Sequence, residues 1–218
     1  MDRTARMGAL LVTLMSCVPG PVAAQTTPHP NLNAQLLVAA RQGDVAAVGA
    51  ALDRGAAPDS RNRLGRTVLF LAAEKGQLEV ATLMLRARAD PNLASVNGVT
   101  PLMAASYGGN LGIVQRLLEA GAVTDPLDRL RKPAILYAAG QGHAETVRVL
   151  LDHGVPIDAA YASQLTALMW AAGQGHLATV RLLLDRGANR TLRDDRGMTA
   201  ADMARQAGHA EVLALLEP

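Results

Sequence analysis

Apolar residues along the chain come in short bursts at helical spacing. Leu111, Val114, Leu117 and Leu118 form one burst, and Leu177, Val180, Leu183 and Leu184 form another. Offsets of three, six and seven residues put each set on one side of a helix, with polar residues between them. Upstream of the bursts lie alanine pairs, Ala39-Ala40, Ala72-Ala73, Ala138-Ala139 and Ala171-Ala172, with Ala105-Ser106 in the same place. They mark a second, shorter helix whose small side chains let it lie close to its neighbour. A glycine stands between the two: Gly43, Gly76, Gly109, Gly142, Gly175 and Gly208, each 33 residues after the last without an insertion. The pattern predicts six copies of a helix-turn-helix unit. One such pair cannot bury its apolar side alone, whereas stacked copies share a continuous core.

The residue after each glycine is Asp44, Gln77, Asn110, His143, His176 or His209. Gly55, Gly121, Gly154 and Gly187 follow twelve residues after the register glycine, and Arg88 breaks that column. The shorter helices open on Thr100-Pro101-Leu102-Met103-Ala104, Thr67-Val68-Leu69-Phe70-Leu71 and Thr166-Ala167-Leu168-Met169-Trp170. In period and motif the sequence resembles ankyrin repeats over about Asn31 to Pro218. The resemblance implies an all-α solenoid of stacked helix-turn-helix units with short β-hairpin fingers between them. It divides residues 31–218 into repeats at about 31–63, 64–96, 97–129, 130–162, 163–195 and 196–218. The signature histidine of the family is absent from every repeat, replaced mostly by Met, Leu or Phe.

The outer sides of a solenoid's end repeats must be polar. Arg205, Asp202 and Glu217 stand in columns that are small or apolar elsewhere, and Asn31-Leu32-Asn33 is placed to cap the first helix. Both ends therefore read as caps of a six-repeat array.

Residues 1–24 read as a secretory signal peptide. Asp2, Arg3 and Arg6 precede an uncharged stretch from Met7 to Val18, and Val22-Ala23-Ala24 offers cleavage before Gln25. Residues 25–30 then form a polar, proline-containing linker. The alternatives are an apolar helix of the fold itself and a lipoprotein signal, in which Leu14-Met15-Ser16-Cys17 resembles a bacterial lipobox. The apolar stretch is too short to span a bilayer, and no later segment can cross one. The reading is a periplasmic or secreted protein, with bacterial origin implied by resemblance alone.

Composition narrows the chemistry. Of 218 residues only five are aromatic, Phe70, Tyr107, Tyr137, Tyr161 and Trp170, which disfavours a sandwich or barrel. A net charge of +2 does not suit a general nucleic-acid binder. One cysteine allows neither an internal disulfide nor a cysteine zinc site. His143, His176 and His209 share one column, and helices about 8–10 Å apart cannot bring all three to one ion. They read as turn residues bonded to nearby backbone. Asp59, Asn92, Asp125 and Asp158 come once per repeat and read as turn residues rather than catalytic acids. No nucleophile, Walker or zinc-protease motif is present, and no cofactor or metal is expected.

The candidate chemistry is recognition. Asp128-Arg129-Leu130-Arg131-Lys132-Pro133 is a basic run where neighbouring repeats carry a turn glycine, Gly65, Gly98 or Gly197. By the resemblance this run is a finger tip, and Arg63 and Arg66 occupy the equivalent tip two repeats earlier. Together they form a basic edge suited to carboxylates. Tyr107, Gln141 and Gln174 lie just before register glycines, on what the resemblance makes the concave face. Tyr107 is an aromatic anchor type. Trp170 and Tyr137 share a mainly apolar column and read as mostly core. The function expected is a non-enzymatic, monomeric module that binds a folded protein partner through Arg63, Arg66, Tyr107, Arg129, Arg131, Lys132, Gln141 and Gln174. The alternative is a lipid-anchored structural or assembly protein of the envelope, and an enzyme comes third.

Overall fold

The computed structural model describes residues 30–217. The expected signal peptide and cleavage site, Cys17 and most of the expected linker lie outside the described residues, as does Pro218.

Twelve α-helices occur among the described residues. They pair as α1 (Pro30–Gln42) with α2 (Val45–Asp53), α3 (Val68–Lys75) with α4 (Leu78–Arg86), and α5 (Pro101–Tyr107) with α6 (Leu111–Glu119). They continue as α7 (Ala134–Gly140) with α8 (Ala144–Asp152), α9 (Ala167–Gly173) with α10 (Leu177–Asp185), and α11 (Ala200–Ala207) with α12 (Ala210–Leu216). Helices of seven to nine residues are too short to persist alone in water. They are held by two layers of neighbours. The odd-numbered helices pack in series from α1 to α11, and the even-numbered ones in series from α2 to α12.

The alanine pairs fill the inner layer. Ala72, Ala73, Ala105, Ala138, Ala139, Ala171 and Ala172 are all fully buried. The longer apolar side chains form the seam between layers, with Met84, Leu117, Leu150 and Leu183 in one buried column. Threonines start most inner helices. The Oγ1 atoms of Thr67, Thr100, Thr166 and Thr199 accept the N–H groups of Phe70, Met103, Met169 and Asp202 at 3.1–3.3 Å. Each satisfies one of the orphan donors of a helix N-terminus. At α7 this position is Pro133, which supplies no side-chain cap.

The expected cap at Asn31-Leu32-Asn33 is corrected. Helix α1 already begins at Pro30, where proline's missing N–H costs nothing, and the linker yields that residue to the helix. Asn33 instead accepts the Ala57 N–H at 2.9 Å. The fingers are tight turns rather than extended hairpins, with a single isolated bridge, Arg61 to Thr67, among the described residues.

Repeats are also joined by side chains. The imidazoles of His143, His176 and His209 lie over Gly109, Gly142 and Gly175 of the preceding repeat. His143 Nε2 meets the Tyr107 carbonyl at 3.0 Å, and His176 Nε2 meets that of Gly140 at 2.9 Å. Asp59, Asn92 and Asp158 each accept a backbone N–H from the next loop, those of Asp90, Val123 and Asn189, at 2.9 Å. These bonds give His143 and His176, and Asp59, Asn92 and Asp158, a structural role between repeats.

The last repeat carries a charged network. Arg205 pairs with Asp202 at 2.8 Å and also with Glu217. The Thr199 N–H and hydroxyl, with Arg205, hold the Asp202 carboxyl down at about 2, against an ordinary 3.8. A lowered carboxylate stabilises the fold fully above its unfolded value, and that contribution is lost as pH falls through the folded one. Stability is therefore expected to decline on acidification from about pH 4 toward 2, with α11 and α12 loosening first. Far-UV circular dichroism across an acid titration checks this, and Asp202→Asn is expected to flatten that part of the curve.

Candidate functional site

The third finger is built by one carboxylate. Asp128 is almost fully buried at the finger's base. Its Oδ1 accepts the N–H groups of Leu130 and Lys132 at 2.9 and 2.8 Å. Asn62 and Asp194 make the same pair of bonds in the first and last fingers. Gly65, Gly98 and Gly197 supply the left-handed residue of three fingers, but here Arg131 takes it, with φ 57°. That conformation costs an L-residue roughly 1–2 kcal/mol, and the bonds to Asp128 hold it in place. Arg129, Leu130 and Arg131 are consequently presented outward, with Leu130 65% exposed.

Asp128 reaches the inner helices as well. Its Oδ2 accepts the Tyr137 hydroxyl. Burial first, and then the bond and charge of Asp128, push the Tyr137 phenol well above the usual tyrosine range. Tyr107 meets Tyr137 edge to face, with centroids 6.0 Å apart and planes at 82°. Tyr107 is 55% exposed, the one aromatic that stands clear of the surface.

The face is hollow beside this pair and again between α9 and α11. A groove of about 240 Å³ is lined by Arg66, Phe70, Glu74, Met103, Tyr107 and Tyr137. A second, of about 230 Å³, lies against Trp170, Gly173, Gln174, Arg196, Met203 and Gln206. The column that holds Tyr107 continues as Gly140 and Gly173, and their lack of side chains opens the face. A Cβ on Gly140 would collide with the Trp170 indole nitrogen, so that glycine makes the seat for the ring. Lys132 closes over the other side, its Nζ 4.4 Å from the indole centroid.

The predicted site residues divide into three groups. Arg63, Arg129 and Arg131 are exposed on the fingers and have no carboxylate partner among the described residues. Tyr107, Gln141 and Gln174 are exposed at the ends of α5, α7 and α9. Arg66 and Lys132 turn inward. Arg66 pairs with Glu74 at 2.9 Å and lies 5.0 Å over the Phe70 ring, whereas Lys132 covers Trp170. The basic edge is thus carried by Arg63, Arg129 and Arg131, with Arg66 part of the groove wall.

Three participants were not among the predicted site residues. Glu74 answers Arg66, and Tyr137 and Trp170 are only partly buried, lying on the face rather than in the core. A signal for them was present. Gly140 and Gly173 follow Tyr137 and Trp170 by three residues, so each aromatic sits beside a missing side chain on the same helix face.

Among the described residues no helix is long and apolar enough to cross a membrane. A family model for ankyrin repeats (3 copies) matches residues 36–128 and 135–217. No curated protein matches the chain.

Proposed function

The chain belongs to the ankyrin-repeat family, whose repeats are protein-interaction modules, and from that premise we propose that it is an exported, monomeric, non-enzymatic binding module for a folded protein. The observation that carries the reading is one preformed face. On it the exposed Tyr107 ring lines one groove and a second groove opens farther along between α9 and α11, under a finger edge whose Arg63, Arg129 and Arg131 are unpaired. A surface held by main-chain bonds loses little entropy when it is covered. A few anchors then dominate affinity. Unpaired arginines add steering and selectivity toward an acidic surface.

Export rests on the order of charge, apolar stretch and small residues in positions 1–24. The competing reading, a lipid-anchored envelope assembly protein, rests on Leu14-Met15-Ser16-Cys17. The N-terminus of the mature protein separates them: Gln25 supports the soluble form, and an acylated Cys17 the anchored one.

Binding is tested by paired pull-downs from an envelope extract. One bait is the natural sequence and the other carries Arg129→Glu, Arg131→Glu and Lys132→Glu. The natural bait is expected to retain a protein that the variant loses, with both baits showing the same circular dichroism. Retention by both moves the anchor to Tyr107, tested by Tyr107→Ala. Retention by neither contradicts the binding reading.

A further inference from the structure

We infer that the solenoid is jointed between its third and fourth fingers, with an open seam on the finger side, a pivot in the helix layers, and the Lys132–Trp170 contact as its clasp. The inference stands apart from the proposed function, because it follows from how the loops are bonded to one another.

Two hydrogen bonds tie finger loops to their successors, one accepted by a side chain and one running between backbones. One is the bond from Asp59, Asn92 or Asp158 to an N–H in the following loop. The other runs between tips: Val96 N–H to the Leu64 carbonyl at 2.9 Å, Arg129 N–H to Asn97 at 3.0 Å, and Asp195 N–H to Ser163 at 3.1 Å. Each contact fails at one junction, and it is the same one. Asp125 should reach the residue at 156, but that residue is Pro156, which has no N–H to give. The tip bond should join the Ala162 N–H to the Leu130 carbonyl, and it is not formed.

The fourth tip has also turned differently. Ser163 and Gln164 both lie at positive φ, 59° and 57°, where the other fingers carry one such residue. Three fingers before the seam are therefore bonded into one run, and two fingers after it into another.

The helix layers continue across. Helix α7 packs on α9 and α8 on α10, and His176 still reaches the Gly140 carbonyl at 2.9 Å. Motion at the junction therefore opens the finger side and turns about the helices, since packed helices slide slightly without separating. Lys132 belongs to the third finger and Trp170 to α9, so their contact spans the seam. Lys132 is also one of the cations in the basic run. A carboxylate that draws its ammonium off the indole releases the clasp.

Native-state hydrogen exchange on the full chain tests the joint. The Ala162 amide is expected to exchange about ten-fold faster than Val96, Arg129 and Asp195, the equivalent of one net backbone hydrogen bond. An Ala162 amide as protected as those three overturns the joint. Pro156→Asn restores the missing donor, and is expected to give a protected amide at 156 and to slow Ala162. A fast Ala162 amide unmoved by that change overturns Pro156 as the cause. Trp170 is the sole tryptophan, so its emission reports the clasp directly. Lys132→Met, which keeps an apolar stem and removes the charge, is expected to shift that emission and to increase its quenching by acrylamide. Unchanged emission and quenching overturn the clasp.

Discussion

Leu150→Ala is expected to lower stability by about 2–5 kcal/mol. Leu150 sits in the middle of α8 with no exposed surface, in the column shared by Met84, Leu117 and Leu183. The truncation removes buried methyl groups and leaves a cavity. Collapse around it is limited, because α7, on which α8 packs, is itself held between α5 and α9 by fully buried alanines. Repeats touch only their neighbours, so the fourth repeat also carries the coupling between the two halves of the array. The loss is therefore expected to show twice in urea denaturation followed by circular dichroism: a lower midpoint, and a broader or two-step transition. Leu150→Met, nearly equal in volume, is expected to cost less than about 1.5 kcal/mol and to keep the transition single. An unchanged midpoint in the alanine variant would contradict the packing described for α8.

The second large effect is expected at Asp128. Asp128→Ala takes the acceptor from two turn amides and from the Tyr137 hydroxyl together. A buried donor left without a partner costs about 1–3 kcal/mol. Arg131 also loses the bonds that hold it at positive φ. The expected destabilisation is about 2–4 kcal/mol, with the third finger losing its shape. Asp128→Asn separates the two roles. Asn62 makes the same turn bonds from the same column, so the amide is expected to keep the finger and weaken only the contact with Tyr137. Thermal unfolding reads the first role. The tyrosinate absorbance titration reads the second: the raised ionisation of Tyr137 is expected to fall in Asp128→Asn. If both variants melt like the natural protein, Asp128 does not organise the finger.

The helix layers were readable because every repeat states them again. Ala72-Ala73 and Ala171-Ala172 do the same packing in different copies, and the threonines before them mark the same helix start. A period exposes whatever recurs. The face works the other way, since its parts are the departures from the period. Arg131 replaces a turn glycine, Gly140 replaces the column of Tyr107, and Pro156 removes a donor that other loops possess. The sequence shows that each position is unusual. It does not show that Arg66 folds back on Glu74 or that Lys132 reaches Trp170, because those contacts depend on loop paths and rotamers that no spacing rule specifies. Asn31 to Asn33 illustrate the same limit. Their composition suits a cap, but the proline before them had already begun the helix.

The proline that starts α7 has a consequence for the order of events in folding. Its neighbours α5 and α9 are preceded by a threonine that satisfies an orphan amide within the first turn, so they need less help from packing to become helical. Helix α7 is preceded by Pro133, which gives no such help, and its seven residues, like those of α9, end in a glycine, a weak helix former. It gains a reason to be helical only once α5 or α9 offers a surface. Structure is therefore expected to spread into the fourth repeat from either side, which makes the middle of the array a meeting point of two growing segments rather than a place where either begins.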